Sequence, residues 1–166
     1  MPTQRRYPLK TKDAKQLKDE ASAALRMDLD AFFDSKATVE VIESDVGEVY
    51  LLSGKPVLFK VEKRILPTLL FSEFSAKAPK IVVDMGAIPY VCKGATVMAP
   101  GIVRIEGEFG VGDLILVSDM KHGKALAVGE ALLDATTARA AKKGPVVKTL
   151  HYVSDKVWDY IKTIVD

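Results

Sequence analysis

Asp84-Met85-Gly86-Ala87-Ile88-Pro89-Tyr90-Val91-Cys92-Lys93-Gly94-Ala95-Thr96-Val97-Met98-Ala99-Pro100-Gly101-Ile102 reads as a short helix held between glycines, then a short strand, then a Pro-Gly turn. Gly86 is placed to open the helix, and Pro89 falls in the first turn, where a missing N–H costs nothing. Gly94 stands where a left-handed residue ends a helix. Ile88, Val91 and Cys92 share one face at helical spacing, which leaves Tyr90 and Lys93 elsewhere on the cylinder. Pro100-Gly101 has turn chemistry, with proline fixing φ and glycine free to take positive φ. A surface edged with glycines has two readings: another molecule's backbone comes close to it, or the chain packs tightly on itself.

Outward from this stretch, Lys80-Ile81-Val82-Val83 is a strand leading in, and Glu106 to Asp113 is a glycine-rich loop leading out. Leu114 to Val117 is a buried strand, Lys121-His122-Gly123-Lys124 a hairpin turn, and Ala125 to Leu133 the returning strand, with Gly129 at a bulge or close approach. Asp134 or Thr136 can cap a short helix through Lys142, which Gly144-Pro145 ends. Val146 to Val153 is a last strand. Ser154 or Asp155 then caps a C-terminal helix with Val157, Trp158, Ile161 and Val165 on one stripe. Short strands with glycine turns, and helices only at the margins, predict a small, partly open barrel.

The other half differs. Residues 1–10 carry Arg5, Arg6 and Lys10 with no acid, as a solvated tail or part of a basic surface. Thr11 to Phe33 has helical period, with Thr11 as N-cap, Ala14, Leu17, Ala21, Ala24 and Leu25 at three- and four-residue steps, and Leu29, Phe32 and Phe33 extending the face, with a break near Asp28 as the alternative to one continuous helix. From Thr38 the period shortens to a meander of strands, turning at Asp45-Val46-Gly47 and at Ser53-Gly54-Lys55-Pro56. Leu66-Pro67-Thr68 reads as the start of a short helix. Ser75-Ala76-Lys77-Ala78-Pro79 is small, polar and proline-bearing, a domain boundary. The expected architecture is α+β: an N-terminal α+β domain over 1–77 and a barrel domain over 78–166, with the barrel at about 79–154 and the last helix at 155–165.

The 166 residues are 48% hydrophobic and 28% charged, with a formal charge of +2, ordinary for a globular protein and too small to announce nucleic acid by itself. One cysteine, Cys92, excludes an internal disulfide and a cysteine-rich zinc site, and points to a reducing compartment. No apolar run is long enough to span a membrane, and the basic N-terminus lacks a following apolar segment. The expectation is a cytoplasmic protein. Catalytic signatures are missing: no H-E-x-x-H, no G-x-S-x-G, and a 107–112 glycine loop that precedes a strand without the Lys-Ser/Thr of a phosphate-binding loop. His122 reads as a solvated turn residue, and His151 as either packed or in contact with RNA. The two histidines form no metal cluster, and neither metal nor cofactor is expected. Cys92 reads as a small buried hydrophobe. Charge placement says more. Residues 135–154 hold Arg139, Lys142, Lys143, Lys148 and His151 without an acid, and the first eighteen residues hold six bases against Asp13.

Val83-Asp84-x-Gly86-Ala87-Ile88-x-x-Val91-x-x-Gly94-Ala95-x-Val97-Met98-x-Pro100-Gly101 resembles the PUA domain, named for pseudouridine synthase and archaeosine transglycosylase. Ala125-Leu126-Ala127-Val128-Gly129, Lys143-Gly144, His151-Tyr152 and Trp158 agree in order, and Leu66-Pro67-Thr68-Leu69 resembles the end of a pre-PUA domain. Together they resemble the malignant-T-cell-amplified-sequence and translation-machinery-associated proteins, in a short archaeal form. The resemblance implies a pre-PUA domain followed by a PUA-type β-barrel, in a non-catalytic RNA-binding protein of the translation apparatus. Its ligand would be tRNA or small-subunit rRNA, in initiation, reinitiation or ribosome recycling on the small ribosomal subunit. An initiation-factor-like protein is an implied partner. Carried over by position, the RNA-binding residues would be Tyr90, Lys93, Gly94, Ala95, Met98, Pro100 and Gly101, with Lys143, Lys148 and His151 opposite them across a cationic groove. The alternatives are a protein-interaction adaptor and an accessory subunit that positions RNA for a modification enzyme.

Overall fold

The computed structural model of the protein describes residues 5–31, 33 and 37–165. Two compact units result: one runs to Phe74 and takes back the residues from Tyr160 on, and the other is Ser75–Asp159. In the first unit a five-stranded antiparallel meander, β1 (Arg5–Pro8), β2 (Val39–Ser44), β3 (Gly47–Leu52), β4 (Lys55–Val61) and β5 (Arg64–Pro67), keeps chain order across the sheet. Helix α1 (Thr11–Leu25) buries Leu17, Lys18, Ala21 and Leu25. Consecutive residues of β3 and β4, Val49 to Leu52 and Val57 to Phe59, are buried, so these strands are covered on both faces.

Several expectations change here. The basic N-terminal segment is no tail: β1 pairs with β2, Arg6 gives Glu40 a two-pronged ion pair (2.9 and 3.1 Å), and Arg5 lies 3.8 Å from Glu43. The charges of Arg5 and Arg6 are answered within the sheet, and Lys18 is buried. Lys10, in extended conformation, holds the N-cap position expected of Thr11. The first helix stops at Leu25, where Arg26 turns left-handed at φ +54°. Phe33 packs on Phe71 with ring centroids 5.9 Å apart, and Phe32 lies outside the described residues. Leu66-Pro67 ends β5 at the sheet edge, where proline's missing donor is harmless, and the Thr68 hydroxyl donates to the Pro56 carbonyl (2.7 Å). The helix comes later, as α2 (Ser72–Lys77).

The second unit contains β6 (Lys80–Val83), α3 (Ile88–Val91), β7 (Val97–Met98), β8 (Ile102–Glu106), β9 (Leu114–Asp119), β10 (Ala125–Ala131), α4 (Ala135–Ala140) and β11 (Pro145–Tyr152). The six strands run β7-β11-β10-β9-β6-β8, antiparallel except for β6 beside β9, and curl as a half-barrel. Its core is built from Ile81, Val83, Ile115, Val117, Val146 and Val147. The register slips between Val128 and Gly129, as expected of a bulge. A Cβ on Gly129 would collide with the Val147 side chain and sit 3.0 Å from the Lys148 carbonyl. Helix α5 (Lys156–Val165) starts in the second unit and ends in the first, whereas the sequence placed it wholly in the second. Val157 and Ile161 of the expected stripe are buried, but Val165 is exposed.

Candidate nucleic-acid interface

Helix α3 is a single turn, too short to persist by propensity alone. Asp84, rather than Gly86, opens the 3₁₀ turn over Met85–Ala87 that leads into it: the Asp84 carboxylate accepts the Ala87 N–H (2.9 Å). Pro89 lies in its first turn. At the far end the Ala95 N–H donates to the Tyr90 carbonyl (3.0 Å) and the Gly94 N–H to that of Val91 (2.9 Å), with Gly94 at φ +85°, a Schellman closure. Val91 enters the half-barrel core while Tyr90 stands 68% exposed, and Lys93 is exposed beside the Gly94 turn. Ala95 leads into β7, whose Met98 is 47% exposed. Ala99–Gly101 is a 3₁₀ turn with Pro100 exposed, and Gly101 does not use positive φ.

Strand β11 lies beside this segment. Val147 pairs with Val97 and Pro145 with Met98, and the Ala99 N–H donates to the Gly144 carbonyl (2.9 Å), which puts the exposed Lys143 at the corner next to Met98. Alternation along β11 then separates two of the expected residues. Val147 faces the core, so Lys148 leaves on the outer face, which it shares with Met98. Thr149 turns the other way, and its hydroxyl donates to the Ala95 carbonyl (2.8 Å). The turn bearing Lys93 therefore meets β11 on one side and Lys148 leaves it on the other, with Glu130 as its cross-strand neighbour. The set wraps the β7 edge of the sheet and does not face across one groove. His151 leaves the set altogether: it is fully buried, and its Nδ1 lies 2.8 Å from Asp155 Oδ2. That carboxylate also accepts the Tyr152 and Trp158 N–H groups, capping α5.

Several carboxylates of this unit are committed to other partners. Asp113 accepts the Gly110 N–H (2.8 Å) and Asp134 the Thr137 N–H (2.7 Å), which starts α4. Asp119, itself buried, accepts the N–H groups of His122, Lys121 and Lys124 across the β9–β10 hairpin. These main-chain donors, led by His122, hold the Asp119 carboxyl below its ordinary range, and Thr137 does the same for Asp134. Glu106 pairs with Arg104, and Glu108 with Arg139, which also donates to the Gly107 carbonyl. Arg139 is thereby removed from the free cations that residues 135–154 promised. Among the described residues, Lys93, Lys121, Lys124, Lys142, Lys143 and Lys148 are exposed and form no ion pair. The hairpin lysines were passed over in the sequence, although an Asp four residues before a turn glycine was a readable signal for a locked loop.

A PUA domain model matches residues 79–153, and a model described as a domain of unknown function, DUF1947, matches residues 5–72. The chain is 36% identical over 161 residues to the Methanocaldococcus jannaschii protein MJ1432, covering 96% of this chain and 99% of that one. It is 25% identical over 140 residues to Saccharomyces cerevisiae translation machinery-associated protein 20, covering 80% and 77%. With human malignant T-cell-amplified sequence 2 the identity is 30% over 121 residues, covering 70% and 66%. Among solved structures, a PUA domain protein of Aeropyrum pernix superposes with a TM-score of 0.86 at 25% identity (99% and 95% covered). A hypothetical protein of Pyrococcus horikoshii superposes with a TM-score of 0.79 at 30% identity (95% and 99%). The PUA domain is an RNA-binding domain, and the yeast relative is named for its association with the translation machinery. An N-terminal DUF1947 domain ahead of a PUA half-barrel, shared along almost the whole length of the archaeal relative, shows that the chain belongs to the PUA-domain family that includes translation machinery-associated protein 20 and the malignant T-cell-amplified sequence proteins.

Proposed function

We propose that the protein is a non-catalytic RNA-binding factor of translation that takes tRNA or small-subunit rRNA on the α3–β7 edge of its second unit. One observation carries this reading: exposed lysines surround that edge while the nearby aspartates are consumed as main-chain caps. A polyphosphate backbone supplies the missing negative charge, and counterion release supplies the free energy. Tyr90 and Met98 offer apolar faces to an unpaired base. The non-catalytic part is supported by side chains occupied elsewhere. His151 is sealed against Asp155, and burial pushes the Cys92 thiol up, away from the thiolate.

Equilibrium binding of purified protein to deacylated tRNA and to small-subunit rRNA, measured over a range of salt, tests it. Neutralising about four phosphates of a single strand gives a log–log salt slope of about −3. Lys93→Glu and Lys143→Glu are each expected to weaken binding about tenfold and to flatten the slope by about 0.7. A slope near zero, or both variants binding like the unaltered protein, overturns the proposal.

A further inference from the structure

The β9–β10 hairpin is a tightly specified cationic turn in the second unit. Asp119 Oδ1 accepts the Lys121 N–H (2.9 Å) and the His122 N–H, and Oδ2 accepts the Lys124 N–H (3.1 Å). The Gly123 N–H returns to the Asp119 carbonyl (3.1 Å), with Gly123 at φ +64°. The one carboxylate at the turn thus points inward and is spent on main-chain donors. Lys121, His122 and Lys124 stay exposed outside it, beside Met120, which is 46% exposed. Holding a loop this way leaves its side chains to present charge outward from a fixed backbone.

The hairpin also has a definite place relative to α3. Strand β10 leaves the turn antiparallel to β11, so the turn lies at the β11 end opposite the Lys143 corner. There the Val153 N–H donates to the Leu126 carbonyl (2.9 Å), and the Ser154 hydroxyl donates to the Cys92 carbonyl at the foot of α3 (3.2 Å). Lys124 is near enough to Cys92 to oppose the upward push of burial on its thiol. On its other flank, the Met120 N–H donates to the Val83 carbonyl, directly before Asp84, which caps the 3₁₀ turn leading into α3. The eight residues of β11 span roughly 26 Å at about 3.3 Å each. Lysines therefore stand at both ends of that strand, with α3 and its turn at the hairpin end.

We propose that the Asp119-locked hairpin is a second phosphate-contacting site, in which Lys121 and Lys124 hold the sugar-phosphate backbone of a structured RNA on the far side of α3 from the Lys143 corner. The inference rests on the RNA-binding reading above and lengthens its footprint from an edge to a track along the β11 strand. His122 adds a donor to the same track, and Met120 an apolar surface beside it.

The test measures salt-dependent binding of deacylated tRNA by the full chain and by Lys121→Gln/Lys124→Gln, Lys121→Glu/Lys124→Glu and Lys93→Glu variants. These side chains bear none of the hydrogen bonds that shape the turn, so circular dichroism and urea midpoints should match the unaltered protein. Loss of two phosphate contacts flattens the salt slope by about 1.4 for single-stranded contacts or about 1.8 for duplex contacts. The glutamine pair is expected to weaken binding about tenfold at moderate salt, and the glutamate pair more. If Lys93→Glu weakens binding while both hairpin pairs keep the slope and affinity of the unaltered protein, the hairpin site is wrong and the edge site stands. If the unaltered protein shows no salt-dependent binding to tRNA or small-subunit rRNA, both are overturned.

Discussion

Gly94 is determined twice over. Its φ of +85° disfavours any L side chain, and a Cβ there would stand 2.9 Å from the Tyr152 ring. Gly94→Ala should therefore cost about 1–2 kcal/mol in urea unfolding. A smaller loss would mean that the Tyr152 ring moves aside easily. Of the two sequence readings of the glycine-edged surface, tight internal packing is the one Gly94 meets, against Tyr152. His151 and Asp155 make a second residue-scale case. Burial pushes the Asp155 carboxyl up, but the His151 ring and the N–H groups of Trp158 and Tyr152 outweigh it and hold the carboxyl below its ordinary range. A depressed folded-state pKa contributes stability that is full above the unfolded value near ~3.9 and is lost as pH falls through the lower folded value. Asp155→Asn should lower stability at neutral pH and lose less than the unaltered protein on acidification, read from urea midpoints along a pH series. Asp119 and Asp134 carry the same sign, so the acid sensitivity shrinks without vanishing.

Among elements, α3 depends on its ends. Removing the carboxylate in Asp84→Ala should cost about 1 kcal/mol. Amide exchange at Ala87 to Cys92 should quicken and RNA affinity should fall, because Tyr90 and Lys93 ride on this turn. Unchanged exchange would show that burial of Val91 holds the turn without its cap. Strand β1 gives the opposite expectation for RNA. Arg5 and Arg6 face Glu43 and Glu40 across the sheet, where solvent screens the pairs, so replacing both with Ala should leave tRNA affinity within about twofold and shift the urea midpoint little. A loss as large as that from Lys93→Glu would move the interface. These two elements also mark what the sequence could disclose. The α3 turn was legible because Pro89 and Gly94 act on their own neighbours in the chain. Strand β1 was not, because its partners lie more than thirty residues away and an isolated Arg-Arg-Tyr looks like any exposed basic segment. His151 was ambiguous for the same reason: only the fold reveals that its strand position faces inward and that Asp155 waits there. Lys93 and Lys148 are both exposed, but the side of β11 from which each approaches depends on pairing register, which residue types alone do not encode.

At the scale of the whole molecule, the chain leaves the first unit near Phe74, builds the half-barrel and comes back through α5. Asp155 starts that helix beside His151 in the second unit, while its residues from Tyr160 on group with the first. Ile161, fully buried, belongs to the returning part. Truncating it in Ile161→Ala removes apolar contact and leaves a cavity, a loss of about 2–5 kcal/mol. The loss should fall on one unit. Amides of β2 to β4 are expected to exchange faster while those of β9 to β11 keep their protection, and urea unfolding should separate into two transitions. RNA affinity should stay near that of the unaltered protein, because the α3–β7 edge lies in the unit whose core Ile161 does not enter. Equal loss of protection in both sheets would instead mean that the units unfold as one cooperative block.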